Sequence, residues 1–188
     1  PTHPTAPLWP RAYAPARPPG PATPPTPPSP SRVPGAVTPW NSITTGDDQP
    51  CATRTDSTAW CWGYNSSGQL GDATTTRRTS PTQLSSTWTT LAAGYDASCG
   101  LRATGALWCW GSNDYGELGL DPETRARQIG ATSTWTTLGG GADHGCGITG
   151  GTLWCWGNNA TGDLGDGSTI NRPSPTQIGA ATTWTGVA

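Results

Sequence analysis

Apolar residues in this chain arrive in short bursts, each closed by Gly, Pro or a polar turn residue, and no apolar run approaches the roughly 18 residues of a membrane span. The bursts lack the three-to-four spacing of an amphipathic helix, and nothing along the chain reads as helical. They read instead as short strands rich in Thr and Trp. The unit consists of a Pro-led strand such as Pro81-Thr82-Gln83-Leu84, a strand led by Trp88, a hairpin between two Cys, and a Gly-rich loop. An all-β fold follows.

The unit recurs. Trp-Cys-Trp-Gly stands at 60–63, 108–111 and 154–157, with spacings of 48 and 46 residues. A lone Trp recurs at Trp40, Trp88, Trp135 and Trp184, and each of the first three lies 11 residues before a Cys. Gly-x-Leu-Gly recurs at 68–71, 116–119 and 162–165. Three anchors sharing one period identify a repeat protein, and short strands bounded by Gly or Pro at this period suit propeller blades. Residues 30–188 divide on this phase into units at about 30–80, 81–127 and 128–174, with a partial unit at 175–188.

The front of the chain differs. Residues 1–29 are proline-rich, and with Pro30 they hold 13 prolines. Proline removes backbone donors and fixes φ near the polyproline II value, so this stretch predicts a stalk or linker that reaches about 90 Å if fully extended. The absence of Met suits a processed chain or an excerpt of a longer one. The charge is nearly balanced at −2, and the ten basic residues form no stripe, which argues against nucleic acid as a partner.

The six Cys fall in three pairs inside the repeats: Cys51 with Cys61, Cys99 with Cys109, and Cys146 with Cys155. Hairpin geometry supports this pairing. Gly150-Gly151 centres the third pair as a two-residue turn that needs positive φ, and Gly105 closes a three-residue turn in the second. Ser57 holds that place in the first, where it is less suited. Cysteines facing across a hairpin come close enough to bridge, which predicts three disulfides of roughly 2.5 kcal/mol each and an oxidising compartment. Zinc is disfavoured, because spacings of 9 and 10 are not those of zinc knuckles.

The stretches Leu107-Trp108-Cys109-Trp110-Gly111-Ser112-Asn113, Tyr115-Gly116-Glu117-Leu118-Gly119 and Trp88-Thr89-Thr90-Leu91-Ala92-Ala93-Gly94 resemble the regulator of chromosome condensation repeat in its Cys-containing, secreted form. The resemblance covers residues 30–188. It implies a β-propeller with four-stranded blades, usually seven to a ring, so three repeats predict an incomplete ring in this chain. The half-units 28–46 and 175–188 share only three hairpins with the rest, so one Trp-led segment must lack its own.

Candidate chemistry is sparse. Asn65-Ser66-Ser67 and Asn159-Ala160-Thr161 are glycosylation sequons at equivalent places, with a structural turn Asn as the alternative because Asn113 holds the same place without a sequon. Thr23, Pro24, Pro25, Thr26, Pro27, Pro28, Ser29 and Pro30 form the densest part of the stalk. They read either as a plain spacer or as a glycosylated one, with a texture that resembles hydroxyproline-rich wall glycoproteins. Asp163, Asp166 and Ser168 faintly resemble a calcium loop but lack its terminal Glu. His144 is read as ordering a turn. No nucleophile has a base and an orienting partner, so no catalytic residue, metal or cofactor is expected.

Two functions compete. The first is an extracellular structural or adhesive glycoprotein, at the cell surface or in the wall, that associates head-to-tail into a fibre with its own copies or other extracellular proteins through open blade edges. The second is a secreted protein-binding module or inhibitor on a closed propeller. A nuclear exchange factor for a small GTPase is the third, and paired cysteines with no basic face argue against it.

Overall fold

A computed structural model describes residues 38–118, 127–130 and 134–187. The stalk, and with it Thr23 to Pro30, lies outside the described residues. The first sheet contains β1 (Trp40–Thr45), β2 (Pro50–Arg54), β3 (Thr58–Gly63) and β4 (Arg78–Thr87). The second contains β5 (Thr90–Ala93), β6 (Ala97–Leu101), β7 (Leu107–Gly111) and β8 (Arg127–Ile129). The third contains β9 (Trp135–Gly140), β10 (His144–Thr149), β11 (Thr152–Gly157) and β12 (Arg172–Gln177). Each is an antiparallel meander of four strands in chain order. The first strands meet, β1 against β5 and β5 against β9, so the sheets stand as adjacent blades in an open arc with β1, β5 and β9 innermost.

The hairpins follow from their turn residues. Thr149 pairs with Thr152 around Gly150 and Gly151, which have φ of 56° and 77°. Gly105 adopts φ 77° in the second hairpin, and Ser57 takes φ 63° in the first, a conformation that L-residues other than Asn and Asp adopt reluctantly. These turns place Cys51 opposite Cys61, Cys99 opposite Cys109 and Cys146 opposite Cys155. All three pairs are disulfides, with Cα separations of 4.2, 4.1 and 4.1 Å. Such separations belong to non-hydrogen-bonded cross-strand positions, where side chains approach most closely.

Because strand side chains alternate, Trp-Cys-Trp gives each blade two unlike faces. The disulfide lies on one and both tryptophans on the other. Blades stack tryptophan face on disulfide face. Cys51, Cys61, Leu70 and Leu84 of the first blade share a core with Trp88 and Trp110 of the second. Cys99, Cys109, Leu107 and Leu118 of the second share one with Trp135 and Trp156 of the third.

The repeat phase read from the sequence does not coincide with the blades. Pro81–Leu84 lies within β4, the outer strand of the first blade, and does not open the second; Pro175 lies in β12, the outer strand of the third. Periodicity fixes the length of a unit, whereas strand pairing decides where a sheet begins. With the phase corrected, β1 owns the first hairpin, and the Trp-led segment without a hairpin in this chain is the one that contains Trp184.

On the tryptophan face, the first Trp of each motif looks for an acceptor two residues back. Trp60 Nε1 donates to Thr58 Oγ1 at 3.0 Å and Trp154 Nε1 to Thr152 Oγ1 at 2.8 Å. The equivalent residue in the second blade is Ala106, and among the described residues Trp108 Nε1 is buried without a partner. An unmet buried donor costs about 1–3 kcal/mol, so Ala106→Thr is expected to raise the unfolding free energy by about 1 kcal/mol. A denaturant midpoint that falls, or does not move, contradicts this account.

Candidate interaction surfaces

The blade joint carries the polar geometry of the arc. Trp110 Nε1 donates to the Gln69 carbonyl at 3.0 Å, and Ser98 Oγ donates to the same oxygen at 2.9 Å. Trp156 Nε1 donates to the Glu117 carbonyl at 2.8 Å. Gln69 and Glu117 occupy the same place in the Gly-x-Leu-Gly loop, and both are buried. The side chain of that residue varies because its backbone oxygen makes the contact. Gly71 is required at the first joint: a Cβ there would sit 2.5 Å from Trp110 Nε1.

The loop is held by its Asn. Asn65 Oδ1 accepts from Leu70 N, Asn113 Oδ1 from Leu118 N and Asn159 Oδ1 from Leu164 N, at 2.9, 2.9 and 3.0 Å. Asn65 Nδ2 donates to Asp72 Oδ1 and to the Thr74 and Thr76 carbonyls, and Asn159 Nδ2 repeats this with Asp166, Ser168 and Ile170. Both sequon asparagines are fully buried. The expectation of glycans on Asn65 and Asn159 is therefore revised. A sugar on Nδ2 displaces a hydrogen that is already bonded inside the loop, and the structural alternative describes these residues.

The same loop accounts for Asp166. Its carboxylate accepts from Ser168 and from Arg172, at 2.8 Å and 2.5 Å, and these bonds hold its pKa far below the usual carboxylate range. Asp72 is also lowered: burial works to raise it, but bonds from Thr74 and Arg78 outweigh that. Arg172 thus neutralises Asp166, the carboxylate at the centre of the calcium-like stretch.

Two features recur with the period and were not read from the sequence. Arg54 stacks between Trp40 and Trp60, with Cζ 4.5 and 4.3 Å from the ring centres, and Arg102 does so between Trp88 and Trp108 at 5.0 and 4.3 Å. Each Arg stands six residues before its Trp-Cys-Trp, a spacing visible in the sequence. The second feature is acidic. The loops after β1, β5 and β9 lie side by side and line an open cleft of about 360 Å³ whose walls include Asp47, Gly94, Tyr95 and Ala142. The Asp96 carboxyl is pushed above its ordinary value, first by burial and then by Asp143, Asp47, Asp48 and Asp114. The His144 ring lies over Gly141 and leaves no room for a Cβ there.

The segment after β12 repeats the entry to a joint. Trp184 N donates to the Gly151 carbonyl at 3.0 Å, as Trp88 N does to Ser57 and Trp135 N to Gly105, so the chain positions the start of another tryptophan face. Trp88 and Trp135 are 2% and 5% exposed, whereas Trp184 is 42% exposed.

Models of the regulator of chromosome condensation (RCC1) repeat match residues 56–101, 104–148 and 150–188, and a second model of that repeat matches 88–117. These spans cover more than half of the chain. The protein belongs to the RCC1 repeat family. The first two matched RCC1 spans begin at a hairpin turn and run into the second strand of the next blade, so each of those repeats straddles a joint. No curated protein sequence matches the chain. Among solved structures, human WBSCR16 aligns with a TM-score of 0.71 at 19% identity, over 79% of this chain and 40% of that one. Prp20p from Saccharomyces cerevisiae, described together with its binding to Gsp1p and histones, aligns at 0.68 and 22%, over 75% and 38%. The ectodomain of the Physcomitrella patens receptor kinase CR4 aligns at 0.51 and 25%, over 73% and 35%. This RCC1 chain thus spans about two fifths of the length of the solved structures it resembles.

The raised Asp96 carboxyl gives a prediction with a definite sign. A carboxyl whose folded pKa exceeds its unfolded value weakens the fold as pH rises through that range, because ionisation is disfavoured in the folded state. Asp96→Asn keeps an acceptor for Gln69 Nε2, which donates to Oδ1 at 2.5 Å. Its thermal midpoint at pH 7 and low salt is expected to exceed that of the wild type. The two should converge below about pH 4, near the ordinary carboxylate pKa. A variant less stable than wild type at pH 7 contradicts the electrostatic reading.

Proposed function

We propose that this RCC1-repeat chain is an extracellular structural or adhesive protein, without enzymatic activity, whose blades associate with other copies or with other extracellular proteins. The observation that carries the reading is the set of three disulfides, one across every hairpin of the described blades. Disulfides at every hairpin suit an oxidising compartment. Likeness to the ectodomain of a plant receptor kinase is in keeping with it. A heterologous contact between unlike blade faces closes a ring or propagates as a fibre, according to the rotation per copy. The proline-rich residues 1–29 supply reach from an attachment point, with glycans on the stalk as a further part of this reading.

A second reading is favoured by the carboxylates grouped around Asp96 on the inner loops. Carboxylates from three blades, with Tyr95 exposed at their side, suit a basic protein partner steered by charge. Protein binding is also what is described for Prp20p, which has the same fold. In that case the chain is a secreted binding module.

Secretion of the full chain from a host with an oxidising export route, followed by intact-mass measurement with and without reduction, tests the proposal. The expected product in the medium is a folded chain that gains two hydrogens per bridge on reduction. A chain that folds only in a reducing cytoplasm, with free thiols, overturns the extracellular assignment.

A further inference from the structure

The first and second blades do not close completely on each other. Beside the joint they leave a half-open cavity of about 280 Å³. Leu84 and Ser85, on β4, form its wall on the first blade, and Trp88, Trp110 and Arg102 form its wall on the second. Both indole donors are already used: Trp88 Nε1 donates to the Ser85 carbonyl at 3.2 Å, and Trp110 Nε1 donates to the Gln69 carbonyl at 3.0 Å. The tryptophans therefore present carbon to the cavity, a surface that favours a flat apolar body.

Arg102 is the charged residue among those that line it. Its guanidinium is fixed by stacking, with Cζ 5.0 Å from the Trp88 ring centre and 4.3 Å from that of Trp108. Arg78 and Arg172 are paired with Asp72 and Asp166, whereas among the described residues Arg102 meets no carboxylate and its buried Nε has no acceptor. Stacking on ring faces leaves the in-plane donors of a guanidinium unused, and that edge matches a carboxylate. The rim is strained as well. Ala73 lines the cavity at φ 63°, at the place where the loop of the third blade has Gly167 at φ 78°. A methyl group is thus held against the cavity in a conformation that glycine would adopt without cost.

We propose that this joint cavity binds a small aromatic carboxylate, with its ring against Leu84, Trp88 and Trp110 and its carboxylate on the Arg102 guanidinium. The volume is that of a small ligand site, enough for one ring with a short acidic side chain. Because the walls come from two blades, an occupant bridges the joint and stabilises the folded arc that it binds.

The test uses the full chain, with benzoate as the ligand and benzamide as its neutral counterpart, followed by NMR on the indole N–H signals. Benzoate is expected to shift the Trp88 and Trp110 signals saturably, with a midpoint on the order of 1 mM, and to leave Trp154 in place. Benzamide, or benzoate with the Arg102→Gln chain, should bind on the order of tenfold more weakly, because the charge-assisted bond is lost. Ser85→Phe adds a ring at an exposed wall position, outside the core, and should abolish the saturable shift. Benzamide that binds the wild type as tightly as benzoate overturns the role of the guanidinium, and this comparison holds even if Arg102→Gln fails to fold. Binding that Ser85→Phe leaves unchanged places the ligand elsewhere and overturns the site. So does the absence of any saturable shift of Trp88 and Trp110 up to about 20 mM benzoate, far above the expected midpoint.

Discussion

The structure depends on one constraint: a strand that reads Trp-Cys-Trp cannot place sulfur and indole on the same side of its sheet. With the disulfide on one face and two tryptophans on the other, the blade is self-complementary by translation, and each blade covers the bridge of the one before it. The hairpin alone would be marginal in water. The disulfide restricts its unfolded state, and the neighbouring tryptophans exclude water from the bridge. At both internal joints an indole N–H finds the backbone oxygen of the loop between the third and fourth strands, so the apolar contact also has a fixed register.

Much of this was legible in the sequence because hairpins are local. The cysteine spacing, Gly105 and the Gly150-Gly151 pair together specify which strands turn back on themselves, and pairing then puts each Cys opposite its partner. The boundaries of the blades were not legible, since a period has no origin. Nor was the joint itself. Its acceptors belong to Gln69 and Glu117 through main-chain atoms, and a contact made by the main chain does not fix the side chain into a motif. Asn65 and Asn159 illustrate the converse. A three-residue sequon describes what an enzyme could recognise, but burial among Asp72, Thr74 and Thr76, or their counterparts, is a property of the folded loop. The Arg54 and Arg102 stacks stood in plain view as a periodic Arg, whose meaning required knowing that its two tryptophans flank it.

Inside the arc, both faces of the middle blade are covered, and at each of its two joints one indole donor, Trp110 or Trp156, is met by a loop carbonyl. The inner loops add a separate resource, since carboxylates crowded around Asp96 oppose one another in the folded chain and gain from a cationic neighbour. That surface suits a protein partner, and membership of the RCC1 repeat family is consistent with that role.

The central claim is that indole donors lock each blade to its predecessor, and hydrogen exchange at the tryptophan side chains measures this most directly. By NMR, the indole protons of Trp110 and Trp156 are expected to exchange at least about a hundredfold more slowly than that of Trp184 in dilute solution, since exchange at a buried bonded site requires opening of the structure around it. If all three exchange at the same rate, the blades are not joined in this way.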